Sequence, residues 1–368
     1  MSEAPTLVVL GGGPAQRHAV DAAHALGVRT VVCDSEPGLG DVLVSSEDED
    51  GVRAAARGAA GLIAPGTDWP VRIAAAVAHD LGLPHPIPPE VAVLATDKIA
   101  QRTALDAAGV PQPDWSVDAP PAYPCVVKAP DRQGQRAMSI LPDGSALAEA
   151  AALAAAGSRS GRVLFEAFVP GPEVTVNGFT AEGRAIVAAV TDRIHFEGAP
   201  GVARRHVYPT ERDPAPAAEV ATRAVAALGI GAGPWYVQLI LGPDGPRIVE
   251  VAARLGGGHD SELVELVTGV DLARAAVLAA LGKPVTAAEV TPNPHGAGVI
   301  QFLEAPPGTL VRAAGPADAC FYDAPGHVYG PIRIATDRAG YVLAGGATRD
   351  DALSGAAAAA AAVRFEIT

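Results

Sequence analysis

Cysteine is scarce in this chain. Three residues, Cys33, Cys125 and Cys320, stand far apart among 368, odd in number and without metal or redox spacing. That argues against a disulfide framework and for reduced, buried thiols in a cytoplasmic protein. Positive charge is also short: 27 Lys and Arg against 41 Asp and Glu leave a formal net charge of -14. A nucleic-acid partner is not expected on bulk electrostatics, so any polyanion must meet a few basic side chains gathered in one cleft. The N-terminus has neither a basic region nor a signal core, and no apolar run is long enough to cross a membrane. No membrane partner is expected. The alanine run at 356–362 reads as a helix, and the acidic run Asp48, Glu49, Asp50 as a solvated surface.

What is present begins as a strand–helix–strand unit. Residues 6–10 are apolar, Gly11–Gly13 follow, a helix is expected over about 14–26, and residues 30–33 form a strand ending at Asp34. This is the opening of a parallel βαβ sheet. Gly-x-Gly with a later acid invites a dinucleotide reading, but Gln16 stands where the third glycine belongs, and a tight turn is the simpler account. The alternation continues through 62–65 and 71–81, and the proline-rich 84–89 reads as a linker. Thr96 is expected to cap a helix running to Ala108. Lys98 lies in its first turn, where a cation opposes the helix dipole by ~0.3–1 kcal/mol. Lys128 sits inside the apolar strand YPCVVKA, unusual unless it faces an anion. The loop 131–138 carries Arg132, Gly134 and Arg136, and glycine eases the inward turn of N–H groups that a phosphate-covering loop needs.

Residues 162–192 read as strand, bend, strand, turn, strand, with the bend at EAFVPGPE. Residues 193–210 look irregular, and a lid is expected there. A helix over 214–228 precedes WYVQLILGPDGPRIVEVAARLGGGH, two apolar runs around a Gly/Pro/Asp turn. Alternation puts Gln238 on one face with Tyr236 and Ile240, and Glu250 with Ile248, Ala252 and Arg254. Pairing these strands brings Gln238 and Glu250 together with Arg254 at the exit, a set of hard oxygens and a guanidinium suited to Mg²⁺ and phosphate. Beyond it, 260–267 and 272–281 look helical, 291–294 reads as a second linker, and strands are expected at 298–304, 319–322, 330–336 and 341–345 before a helix over 350–365.

Four stretches, in order, resemble the ATP-grasp superfamily of carboxylate–amine ligases: TDKIAQRTALDAAGVPQP, YPCVVKAP, VLFEAFVPGPEVTV and WYVQLIL with RIVEVAARLGGG. The third is similar to the adenine and ribose segment of D-alanine–D-alanine ligase. The fourth is similar to the metal segment of carbamoyl phosphate synthetase and L-amino acid ligases. The resemblance implies an α/β (α+β) ATP-grasp fold in three parts: an N-terminal parallel βαβ domain (1–95), a two-lobed nucleotide-binding domain (96–290) and a small C-terminal α+β domain (291–368).

The same resemblance implies roles. Lys98 and Lys128 would contact ATP phosphates, with Gly134 and Arg136 in the loop that closes over them. Glu166, Ala167 and Val169 would line the adenine pocket, mostly through backbone, and Glu173 would accept from the ribose hydroxyls. Gln238 and Glu250 would hold Mg²⁺, Arg254 would face the reacting phosphoryl group, and Gly257, Gly258 and His259 would approach the acceptor. Arg204, Arg205 and His206 in the lid are candidates for a substrate carboxylate, Asp260 and Glu262 for an amine. The implied activity joins a carboxylate, an amino acid in the first instance, to an amine through an acyl phosphate, giving ADP and phosphate. Three departures stand out. Ala252 replaces the family's usual Asn, Gln238 replaces an acid found in many members, and the phosphate loop is poor in glycine. A carboxylase, a purine-pathway ligase or a nucleotide-binding protein without turnover are the alternatives, and a homodimer is left open.

Overall fold

A computed structural model describes residues 4–368. It opens on TLVVL, β1 (Thr6–Leu10), whose near-continuous burial is what a parallel strand covered on both faces requires. The helices α1 (Pro14–Ala25), α2 (Glu49–Ala55) and α3 (Asp68–Leu81) flank a sheet made with β2 (Arg29–Asp34), β3 (Val42–Leu43) and β4 (Gly61–Ile63). Its order is β3-β2-β1-β4, and every pair is parallel, as the sequence predicts. The first turn serves itself. Gly12 N–H donates to Asp34 at 2.8 Å, and a Cβ on Gly12 would strike the Leu39 carbonyl. Asp48 is no idle surface acid, for it caps α2 by accepting from Gly51 N–H at 3.1 Å.

Helices α4 (Pro89–Leu94) and α5 (Lys98–Ala107) carry the chain onward. Thr96 does not cap α5: its hydroxyl donates to Ala92 O at 2.8 Å. Asp97 caps instead, accepting from Ile99 and Ala100 N–H groups at 2.9 and 3.2 Å. A carboxylate there favours the helix N-terminus and offsets the charge of Lys98 beside it. A four-stranded antiparallel sheet follows, of order β5-β8-β6-β7, from β5 (Trp115–Ser116), β6 (Cys125–Lys128), β7 (Met138–Leu141) and β8 (Leu164–Ala167). Helix α6 (Leu147–Gly157) covers it through Ala150 and Ala154, which pack with Cys125, Val127, Leu141 and Phe165.

The largest sheet holds β9 (Glu173–Ala181), β10 (Arg184–Phe196), β11 (Ala199–Tyr208), β12 (Gly233–Gly242) and β13 (Gly245–Ala252), with α7 (Ala215–Ala227), α8 (Asp260–Thr268) and α9 (Leu272–Ala280) packed around it. The expected irregular lid at 193–210 is a correction. Those residues are the end of β10 and all of β11, an antiparallel pair. The misreading has a cause: Ile194 faces Arg205 while His195 faces Ala203, so Arg204 is the extra residue of a β-bulge and the alternation breaks there. A second bulge corrects the face assignment in the β12–β13 hairpin. Gln238 pairs with Glu250 as expected, but Leu239 pairs with Ile248, which puts Ile248 in the core and off the face of Glu250.

The C-terminal strands are β14 (Ala297–Leu303), β15 (Gly308–Ala314), β16 (Ala319–Phe321), β17 (Val328–Tyr329), β18 (Gly340–Gly346) and β19 (Arg364–Ile367), with α10 (Arg349–Ala362). Three of them extend the large sheet, whose order is β13-β12-β9-β10-β11-β14-β18-β16, through the pairing of β11 with β14. The expected strand at 330–336 is absent: Pro331 removes a donor, and Asp337 accepts from Arg333 and Ile334 N–H groups at 2.8 Å to close a short turn. The final helix ends at Ala362, and β19 pairs with β15.

Trp235 is 1% exposed and anchors the core between β9 and the helices. It lies over Gly178, where an added Cβ would come within 2.2 Å of the indole and 2.4 Å of Ile186 O. Gly178→Ala is therefore expected to destabilise the protein by ~1–3 kcal/mol. The check is a lower urea midpoint at unchanged slope; an unchanged midpoint would mean that Trp235 moves aside without cost.

Candidate active site

Lys98 opens α5 and reaches β13. Its Nζ lies 2.7 Å from Glu250 Oε1 and donates to Arg132 O at 2.8 Å. Burial alone would lower the pKa of Lys98, but Glu250 and Asp68 more than reverse this. Burial alone would raise Glu250, yet Lys98, then Arg254 and Lys128, hold it down to about 2. Lys128 ends β6, and its Nζ lies 2.7 Å from Glu166 Oε2. Arg102, fully buried, donates Nε to Glu166 Oε1 at 2.8 Å. Helix α5 also fixes the hairpin: Gln101 donates to Val251 O at 2.8 Å and accepts from Val251 N–H at 3.1 Å, and Arg102 donates to Val249 O at 2.7 Å. The four expected residues Lys98, Lys128, Glu250 and Arg254 thus act on one another inside one cleft.

Arg254 leaves β13 and donates Nε to Asp68 at 2.5 Å and Nη1 to Leu255 O at 2.7 Å. Its guanidinium stands 5.8 Å from the Tyr236 ring centroid. Asp68 comes from α3 in the N-terminal domain. Burial and the charge of Glu250 push its pKa up, against the pull of Arg254. No local pattern marks Asp68, because its partner is 186 residues away.

The other residues that the resemblance assigns to the nucleotide have partners within the chain. Glu166 spends both carboxylate oxygens on Lys128 and Arg102. Ala167 N–H donates to Asp114 O at 2.8 Å, whereas Val169 makes no backbone hydrogen bond among the described residues. Glu173 accepts from Arg193 at 2.8 Å and from the Gln238 amide, and lies 2.6 Å from His195. Arg193 and His195 were hidden from the sequence reading by the lid assignment. The loop after β6 is laid across the cleft. Asp131 anchors it by accepting from Arg159 and Ser160 N–H groups at 3.0 and 2.9 Å. Gln133 accepts from Asp68 N–H, and Gln135 packs on Gly201. Its lack of glycine is met by left-handed backbone at Gln135 (φ 64°) and Ala137 (φ 55°) as well as at Gly134 (φ 70°). Arg136 is exposed on its outer side.

The surroundings of His206 and residues 256–260 are built from three directions. His206 is 2% exposed and its Nδ1 lies 2.8 Å from Asp260, which also accepts from Gly258 N–H at 3.1 Å. The glycines are sterically required here. A Cβ on Gly256 would meet Asp260 at 2.3 Å, on Gly257 the Gly66 carbonyl at 3.0 Å, and on Gly258 the His206 ring at 2.9 Å. His259 stacks on Tyr341 with centroids 3.7 Å apart, pairs with Glu262 at 2.8 Å and shares a 2.7 Å hydrogen bond with Tyr322. Of the other candidates, Arg204, the bulge residue, is exposed, and Arg205 is engaged by the Gln301 side chain.

The donor set fits a magnesium ion. Glu250 is anionic and half-buried, and Gln238, its register partner, gives its amide N–H to Glu173 and keeps its carbonyl oxygen. Ala252 faces Tyr236 and offers no oxygen, a place that water fills readily on Mg²⁺.

Asp260 gives a pH test. Burial would raise it, but His206, Asn177 and Gly258 N–H hold it down to about 2. A carboxyl lowered in the folded state contributes stability above its unfolded value, about 3.9. That contribution disappears as pH falls through the folded value. Asp260→Asn should flatten the loss of stability between about pH 4 and pH 2, measured by urea unfolding; an unaltered slope there would assign the acid sensitivity to another group.

Comparison with known proteins follows this geometry. Residues 301–368 match the family model for L-amino acid ligase C-terminal domain 2. The chain is 29% identical over 305 residues to the protein y4rH of Sinorhizobium fredii, covering 75% of this chain and 62% of that one. It is 32% identical over 193 residues to a D-alanine–D-alanine ligase of Synechococcus sp., covering 46% of this chain and 58% of the relative. It thus spans less than two thirds of the length of these relatives. Among solved structures, L-amino acid ligase from Bacillus licheniformis superposes with a TM-score of 0.85 at 19% identity over 100% of both chains, a likeness of fold. Residues 301–368 thus resemble an L-amino acid ligase domain, the relatives of this chain include D-alanine–D-alanine ligases, and its fold is that of L-amino acid ligase.

Proposed function

We propose that this protein is an ATP-dependent ligase that joins an amino-acid carboxylate to an amine through an acyl phosphate, releasing ADP and phosphate. One observation carries the reading: α5, β6 and β13 bring Lys98, Lys128, Glu250 and Arg254 into one buried charge network, each cation matched to a carboxylate. Burying such charges is costly. Their presence calls for a ligand carrying both a polyanion and a cation, which magnesium triphosphate is.

The chemistry follows from charge. A carboxylate is a poor electrophile at neutral pH. Its oxygen attacks the γ-phosphorus, the bond to the bridging oxygen breaks, and ADP leaves. The amine nitrogen then attacks the acyl carbon, and phosphate leaves. Phosphoryl transfer asks the protein for alignment and neutralisation. Lys98 and Lys128 neutralise the transferring phosphates, and Arg254, steadied by Asp68, meets the charge that develops on the transferring group. A magnesium ion held by Glu250 and Gln238 would add positive charge at the same phosphates. His206, with Nδ1 fixed by Asp260, turns Nε2 toward Gly258 and can accept the proton the amine must lose. The loop 131–137 keeps water from the acyl phosphate.

Ala252 supports a second reading, a protein that binds the nucleotide without turnover; tight ATP binding with no phosphate released over long incubation would favour it. The ligase reading expects a hydroxamate when the protein, ATP, Mg²⁺ and hydroxylamine are incubated with the right member of an amino-acid panel. Phosphate release no higher than background with every acid would end it. Lys128→Met and Glu250→Gln are each expected to cut turnover on the order of a hundredfold or more while remaining folded by circular dichroism. Normal rates in both would remove these residues from the mechanism.

A further inference from the structure

Arg338 lies between a short turn at Ala335–Asp337 and β18, in the part of the chain that follows the nucleotide-binding elements. It is 8% exposed. Its Nε donates to Ala335 O at 2.7 Å, and its guanidinium carbon stands 3.7 Å from the centroid of Phe302. Among the described residues no carboxylate lies within ion-pair distance of it, and its two terminal nitrogens donate to nothing. The other deeply buried basic side chains of the cleft are each matched: Lys98 with Glu250, Lys128 and Arg102 with Glu166, Arg193 with Glu173, Arg254 with Asp68. A buried cation without a counter-ion is costly, and a stacked ring offsets only part of that cost.

The place is not remote from the chemistry. Arg338 is within electrostatic reach of Tyr322, Arg193, Asp260 and Tyr236, and Tyr236 in turn is within reach of Asp260, Arg193 and Arg254. Arg338 therefore stands near the His206–Asp260 pair. Phe302, against which it stacks, also meets the His206 ring edge-on at 5.7 Å. A planar fork with two free donor nitrogens matches a carboxylate in bidentate fashion.

Resting on the ligase reading above, we propose that Arg338 is the residue that binds the carboxylate of an amino-acid nucleophile and so selects it over a simple amine. The carboxylate that reacts must face the γ-phosphate. A second carboxylate, carried by the nucleophile, meets the unmatched guanidinium and leaves its amino group near His206 and Asp260. Arg338 then sets which amines are accepted, with phosphates left to Lys98, Lys128 and Arg254.

The test compares free amino acids with their amides as nucleophiles, each competing with hydroxylamine for the acyl phosphate. The full-length protein is expected to prefer the amino acid, and Arg338→Met to reduce that preference by ~10–100-fold, the usual worth of a hydrogen-bonded charge pair. Arg338→Lys should keep part of the preference, which a merely structural role would not produce. An unchanged preference in Arg338→Met, or loss of ATP affinity as the main effect, would overturn the assignment. If the parent protein forms no hydroxamate at all, the ligase reading fails separately. The Arg338 assignment is then decided by calorimetry with the twenty standard amino acids and their amides in the presence of Mg-ADP. Binding of a free amino acid that Arg338→Met weakens ~10–100-fold, with its amide binding alike in both proteins, would uphold it; affinity indifferent to the substitution, or no binding, would end it.

Discussion

The cleft depends on Arg102. Fully buried, it joins α5 to Glu166 on β8 and to the Val249 carbonyl on β13. Through Glu166 it also sets the surroundings of Lys128. A guanidinium in such a place must have its charge and its donors satisfied, and three separate elements converge to satisfy them. With α5 held there, Lys98 at its N-terminus can only point at Glu250, and Gln101 locks Val251 in register beside it. The fold thus places Lys98 and Lys128 by packing one helix against two sheets.

Much of this was readable in the residues. The pairing of Gln238 with Glu250 followed from alternation and a turn, and holds in the register of β12 and β13. Lys98 and Lys128 drew notice by sitting where lysine is disfavoured. The chain has three lysines in all, with Lys283 the third, so two of three stand beside the buried carboxylates. Asp68, Arg193, His195 and Arg338 were not readable. Asp68 and Arg338 meet residues far away in the sequence, where no spacing rule applies. Arg193 and His195 lay in a segment whose alternation is broken by the bulge at Arg204, so a paired strand was taken for a loop.

The C-terminal segment has more than a covering role. By pairing β14 with β11 it continues the large sheet, and by this continuity it carries Phe302, Tyr341 and Arg338 toward His206 and His259. Asp68 and Gly66, from the N-terminal region, meet Arg254 and Gly257. The segment from Arg254 to Asp260 is therefore enclosed by three regions of chain.

The 2.7 Å pair between Lys98 and Glu250 has a consequence for how the cleft fills. A phosphate arriving alone would draw Lys98 away and leave Glu250 negative in a buried place; a divalent ion arriving alone would strand Lys98. When both arrive together each former partner finds a new one, and no charge is left over. The resting pair is in this sense self-quenched, and under the proposed function its electrostatics would favour the two ligands entering as a single complex over either by itself.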